Sequence, residues 1–167
     1  RADQGAIRVT CDAGRNLVRF DGLQPNAWTF TALTVERQYP NYRSLLPKES
    51  STRIEIDRAA FLGAAQALAE FVKDGSNVLK LEADLEAGTI HLTAQNDDGA
   101  ASDTIPALIE GEPTFIAFHA RFTVEALQSF DGERLSLWLN GPTSPSAWGD
   151  PGAPNYVHVL MPMHTVR

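Results

Sequence analysis

One order of elements occurs twice in this chain, and it restricts the fold more than any single motif. From residue 52, Thr-Arg-Ile-Glu-Ile reads as a strand. Asp57 then stands as a helix cap, ahead of Ala59, Ala60, Phe61, Leu62, Ala64, Ala65, Leu68 and Val72 at helical spacing. Lys73 falls in the last turn, where a cation suits the helix dipole, and Gly75 ends the helix. Strands are predicted at 78–84, 89–96 and 102–110, parted by turns at Ala87-Gly88 and Asp97-Asp98-Gly99. After Gly111-Glu112-Pro113 the pattern restarts, with a strand at 114–118 and a helix over 121–130. Strands at 134–139, 144–148 and 156–163 complete it. Each unit is β-α-β-β-β, and the repeat period is about 60 residues although residue identities hardly recur. Two such units predict one α+β domain, with two helices packed on one side of antiparallel sheets.

Ahead of the repeats, alternating runs at 7–12, 16–21 and 27–35 predict a three-stranded antiparallel meander. Three strands alone make a poor core, so residues 1–37 read as half of a domain. Cys11 lies in the first of these runs, and a buried, inert thiol is expected there. The segment 38–50 carries Pro40 and Pro47, which forbid regular structure across it. It also holds Tyr39, Tyr42, Leu45 and Leu46, so it is expected to pack against something rather than run free. It marks the boundary with the repeat domain, 51–167.

Composition excludes several classes. Of 167 residues, 43% are hydrophobic, enough for a core, but no apolar run is long enough to cross a bilayer. With Cys11 as the single cysteine, a disulfide scaffold or cysteine-based zinc site is excluded, and a cytosolic compartment is expected. The chain opens at Arg1 without a signal peptide or initiator Met, which reads as a processed or truncated piece. Net charge is −7. Residues 1–50 carry seven Lys/Arg against five Asp/Glu, and residues 51–167 carry seven against sixteen. A balance of +2 against −9 does not fit tight nucleic-acid binding by the whole surface, which needs cations to neutralise phosphates.

Catalytic patterns are missing. There is no phosphate loop, dinucleotide glycine pattern or Gly-x-Ser-x-Gly elbow, and His91, His119, His158 and His164 lack metal-ligand spacing. Asp97-Asp98 reads as a turn, and Glu82, Asp84 and Glu86 as a solvated face. No enzymatic constellation, cofactor or metal is expected. On the first helix Gln66, Glu70 and Lys73 share the face away from the apolar stripe; on the second, Arg121, Glu125 and Gln128 do. Each face is either ordinary solvated surface or one that tolerates a polyanion without gripping it.

The closing stretch Tyr156-Val-His-Val-Leu-Met-Pro-Met163 is a strand stopped by Pro162, which has no N–H to donate. Met161 and Met163 flank that proline. Such methionines either fill a core or form an adaptable binding edge.

Three stretches carry a family resemblance: Gln38-Tyr-Pro-Asn-Tyr-Arg-Ser-Leu-Leu-Pro47, Phe118-His-Ala-Arg-Phe122 with Ala126-Leu127, and Tyr156 through Leu-Met-Pro-Met163. Together they resemble the bacterial sliding clamp, the β subunit of DNA polymerase III. The resemblance runs over essentially the whole chain but under half the family's length. It implies the latter half of a middle domain, a linker and an entire third domain in the DNA-clamp fold. It further implies a non-catalytic processivity factor. Two protomers would close head-to-tail as a ring around duplex DNA, helices lining the hole. DNA polymerase III alpha, clamp-loader subunits and other proteins with a clamp-binding motif would insert a short apolar peptide into a pocket. Carried over residue by residue, that pocket is lined by Pro40, Ser44, Leu45, His119, Phe122, Thr143, Pro145, Val159, Leu160, Met161, Pro162 and Met163. It would be open on one side without the first half of the middle domain. His119 replaces the family's usual Asn, and Ser44 stands where some members have Arg. Lys48, Arg58, Lys73 and Arg121 are the candidates for facing DNA. Phe71-Val72 resembles the apolar pair at the ring interface, unless Phe71 packs internally. A clamp paralogue that binds partners but not DNA remains open, as does a small-ligand or enzymatic α+β domain.

Overall fold

Backbone pairing follows the repeat. The computed structural model describes residues 6–22, 27–35, 37–39, 41–46, 49–153 and 155–164. Two compact units result, Arg1–Pro40 and Asn41–Arg167. In the first, β1 (Ile7–Asp12), β2 (Leu17–Gly22) and β3 (Trp28–Leu33) form an antiparallel meander in the order β1-β2-β3. Its register sets Val9 opposite Phe20, Phe20 opposite Phe30, and Cys11 opposite Val18. One face is therefore apolar, while Arg8, Thr10, Arg19 and Thr31 fall on the other. Cys11 is exposed, against the expectation of a buried thiol. The reason is that a single sheet layer has no second layer within its own unit to cover it.

The second unit holds β4 (Thr52–Asp57), α1 (Arg58–Val72), β5 (Val78–Asp84), β6 (Thr89–Asn96) and β7 (Gly99–Gly111). The second repeat supplies β8 (Thr114–His119), α2 (Ala120–Gln128), β9 (Arg134–Leu139), β10 (Ser146–Gly149) and β11 (Val157–Leu160). All eight strands join one antiparallel sheet ordered β11-β10-β9-β4-β7-β6-β5-β8. The repeats interlock: β4 of the first lies beside β9 of the second, and β8 of the second beside β5 of the first. Both helices pack together on one face of this sheet. Asp57 caps α1 as expected, its carboxylate accepting from the Ala60 N–H at 2.7 Å. Phe61, Ala64, Ala65, Leu68 and Val72 of α1 meet Ile54, Ile56, Leu79, Leu81, Leu92 and Leu137 in a single core. Trp148 lies at its centre, stacked on Phe61 (5.7 Å) and edge-on to Phe118 (5.5 Å).

The two repeats close differently, and this difference positions the site. In the first, the long last strand β7 pairs with β6 through 99–106 and then with β4 through 107–111. Gly111 makes that closure possible at φ +105, because a Cβ there would overlap the Ser51 carbonyl oxygen. The second repeat should close by pairing its last strand with β8. Instead β11 ends at Leu160, three residues before the expected end. Among the described residues one backbone bond joins the tail to β8, from the Met163 N–H to Ala117 O at 2.7 Å. Pro162 cannot donate to a ladder, so the chain leaves β11 and touches β8 only beyond it. Smaller boundary differences have equally local causes. β10 begins at Ser146 rather than 144 because Pro145 precedes it, and β7 is longer at both ends than the alternation suggested. Among the described residues no helix is long and apolar enough to cross a membrane.

Candidate functional site

With closure limited to that bond among the described residues, β10, β11, the tail and the start of α2 form a candidate edge. Its inner side is bolted. Ser146 Oγ donates to the Leu160 carbonyl at 2.9 Å and accepts from the Trp148 indole N–H at 2.9 Å. Leu160 is 7% exposed and belongs to the core. Strand alternation then sends Val157 and Val159 to the opposite face, where Val159 sits across from Ala147. The Leu160 side chain, carried over from the resemblance as pocket-lining, thus lies in the core, on the face opposite Val159. Met161 is 56% exposed, and Pro162 and Met163 are half-buried. Thr143 is exposed and Pro145 half-buried ahead of β10, whose ladder with β11 begins at the Ser146–Leu160 pair.

The tail meets β8, the strand that leads into α2, through the Met163–Ala117 bond. His119 occupies the N-cap position but makes no capping hydrogen bond, and its Nδ1 is buried with no partner among the described residues. Its ring lies 4.6 Å from that of Phe122, which is 49% exposed. Of the pocket candidates, the structure shows His119 against Phe122 and Met163 bonded to Ala117 of β8. Pro40 lies outside the described residues. Ser44 and Leu45 sit in and just after a single 3-10 turn, Tyr42–Ser44, where the Ser44 hydroxyl bonds locally to Asn41 O at 2.7 Å. Both are exposed, and among the described residues no bond joins them to the edge.

Asn140 was not singled out by sequence reasoning. Its side-chain amide donates to Glu49 O at 2.6 Å and accepts from Ser51 N–H at 2.8 Å. It pins the end of the crossing segment beside the turn that leads to Thr143. An Asn at a strand end reads as an ordinary turn residue, so nothing in the sequence distinguishes it.

The helix candidates fare unevenly. Arg58 is not free to face a ligand: its Nε donates to Gly132 O at 2.6 Å and its Nη1 reaches Leu127 O at 3.5 Å. It satisfies one carbonyl in the last turn of α2 and one in the turn that follows, as a cation near a helix C-terminus should. Lys73 pairs with Glu70, and Arg121 pairs with Glu125 at 2.7 Å, all on exposed faces. The Glu70 hydrogen bond raises the Lys73 pKa above its usual value. Lys48 lies outside the described residues. Val72 is 0% exposed, so it cannot supply the partner-facing half of an apolar pair; its place in the α1 stripe puts it in the core. Phe71 is half-buried against that core.

Behind the edge, Tyr156 Oη donates to Ser129 Oγ at 3.2 Å and lies 3.2 Å from His158 Nδ1. Burial holds the His158 pKa below its usual value. No group of three or more His, Cys, Asp or Glu that could hold a metal occurs among the described residues.

Comparison with known proteins agrees with this architecture. Residues 43–164 match the family described as DNA polymerase III beta subunit, C-terminal domain. A beta sliding clamp of Synechococcus elongatus is 31% identical over 164 residues, covering 98% of this chain and 42% of that protein. One from Caulobacter vibrioides is 28% identical over 138 residues, covering 82% and 37%. The crystal structure of a DNA polymerase sliding clamp from Bacillus subtilis superposes with a TM-score of 0.83 at 25% identity, over 96% of this chain and 41% of that one. The DNA polymerase III beta subunit of Thermotoga maritima shares the fold, with a TM-score of 0.82 at 21% identity over 96% and 42%. The chain spans about two-fifths of the length of these relatives. By its repeat architecture and its match over residues 43–164, the chain belongs to the family of C-terminal domains of the DNA polymerase III beta subunit.

Proposed function

We propose that this chain is the partner-docking part of a sliding clamp, a processivity factor that encircles duplex DNA and tethers DNA polymerase without catalysis of its own. One observation carries the reading: among the described residues the tail meets β8 through the Met163–Ala117 bond alone, and Met161 and Phe122 are both exposed. Two exposed apolar side chains on a bolted frame suit a short peptide with apolar anchors. Thr143, Pro145 and Val159 are further wall candidates, and the family resemblance adds Pro40, Ser44 and Leu45 as candidates to contact the peptide. In this reading residues 1–37 are the latter half of a middle domain, 38–50 a linker and 51–167 the third domain. The whole protein acts in the cytoplasm as a head-to-tail homodimeric ring, with Phe71 at the interface. Its partners are DNA polymerase III alpha, clamp-loader subunits and other proteins with the same motif. Tethering is topological: Lys48, Lys73 and Arg121 meet phosphates weakly and exchange quickly, so the ring slides.

A second reading is favoured by the charges. The three described helix cations are already engaged, Arg58 by carbonyls and Lys73 and Arg121 by glutamates. A paralogue that binds partners but not DNA would look like this.

The test is fluorescence anisotropy with a labelled peptide carrying Gln and a Leu-Phe anchor pair. Binding in the micromolar range is expected, with Met161→Ala and Phe122→Ala each weakening it about tenfold. Absence of binding, or binding indifferent to both substitutions, contradicts the groove.

A further inference from the structure

On the sheet face away from the helices, a depression of about 550 Å³ lies over β5 and β6. Alternation explains its lining. Leu79, Leu81, Leu92 and Ala94 turn into the core, which leaves Val78, Lys80, Thr93 and Gln95 facing outward. Its rim is preformed: Ser76 Oγ donates to Gln95 O at 2.9 Å, and Asn96 Nδ2 donates to Phe71 O at 2.9 Å. Lys80 makes no ion pair among the described residues, unlike Lys73. The register connects this recess to the edge described above. Lys80 lies opposite Thr93 on one side and Ala117 on the other, and Val78 lies opposite His119. Ala117 in turn holds the Met163 N–H. From the tail to Lys80 is thus two strand spacings, about 10 Å, or about three residues of extended peptide.

We propose that this recess is a second subsite of the groove, and that it receives one carboxylate side chain of the partner peptide about three residues from its apolar anchors. The proposal rests on the peptide-docking reading and specifies which peptides dock best. A single unpaired ammonium beside a hydroxyl and an amide suits one carboxylate. Asp97 on the rim and the −9 balance of residues 51–167 disfavour a run of acids or a phosphate, whose further charge would meet like charge.

The experiment compares otherwise identical Leu-Phe peptides bearing Glu or Gln three residues before, or three residues after, the anchors. At low salt one Glu position should bind about threefold tighter than its Gln partner, as a partly exposed ion pair allows. The difference should vanish with Lys80→Gln and shrink as salt rises. Lys80→Glu should reverse the preference in favour of a Lys-bearing peptide. Met161→Ala should weaken both peptides equally and keep their ratio. Equal binding of Glu and Gln peptides at both positions overturns the subsite while the groove stands, as does a Lys80→Gln effect that is the same for both. If no peptide binds the unsubstituted chain, the groove itself is wrong and the subsite falls with it.

Discussion

Ser146 shows how one small side chain sets the position of the proposed binding wall. Its hydroxyl lies between the Leu160 carbonyl and the Trp148 indole N–H, so it ties the last strand to the aromatic centre of the core. Ser146→Ala would leave both groups without this partner in a buried site. A loss of about 2 kcal/mol in urea denaturation is expected. His158 gives the second residue-scale prediction. Burial lowers its pKa below 6.5 in the folded state, so the unfolded chain binds the proton more readily. Its contribution is therefore fully present above pH 6.5, is lost as pH falls below that value, and levels off once the pH passes the folded pKa. Thermal melts from about pH 8 to about pH 5 should show a steeper fall for the native chain than for His158→Gln. Parallel curves would contradict the assignment.

At the scale of elements, closure of the repeats decides what is buried and what is offered. Gly111 lets β7 run past Ser51 and seal the first repeat. Gly111→Ala forces a Cβ into backbone at a positive φ, and a cost of about 2–4 kcal/mol is expected from overpacking and strain together. Measured denaturation near the native value would show that β7 can shift without loss. The order of elements, the Asp57 cap and the core faces of both helices were legible in the sequence, because periodicity and turn residues report local geometry directly. The register was not. Nothing local says that β4 pairs β9 while β8 pairs β5, and this interlocking is what brings Met163 to Ala117. The burial of Leu160 and Val72 has a related reason. A resemblance names positions, but strand and helix periodicity decides which of them point inward. Arg58 looked like a free surface cation because the carbonyls that claim it, at Gly132 and Leu127, are about seventy residues away along the chain.

For the whole molecule, the charge balance and the open edge point to one division of labour. The described helix cations are engaged and the repeat domain is acidic, so its own grip on DNA should be slight. Retention on linear duplex should be weak at low salt and disappear at physiological salt in a filter-binding assay. Tight, salt-resistant binding to linear duplex would mean that a cationic surface has been missed. Docking of partners is the stronger commitment, and the chain supplies its own reporter. Its only two methionines are Met161 and Met163, both on the proposed edge. Selective ¹³C labelling of their methyl groups therefore gives a spectrum in which every methionine signal comes from the candidate site. On titration with a Leu-Phe anchor peptide, both methyl resonances should shift together and saturate, and Phe122→Ala should reduce the apparent affinity. A peptide that binds the chain while both methyl signals stay fixed would place docking elsewhere and contradict the account.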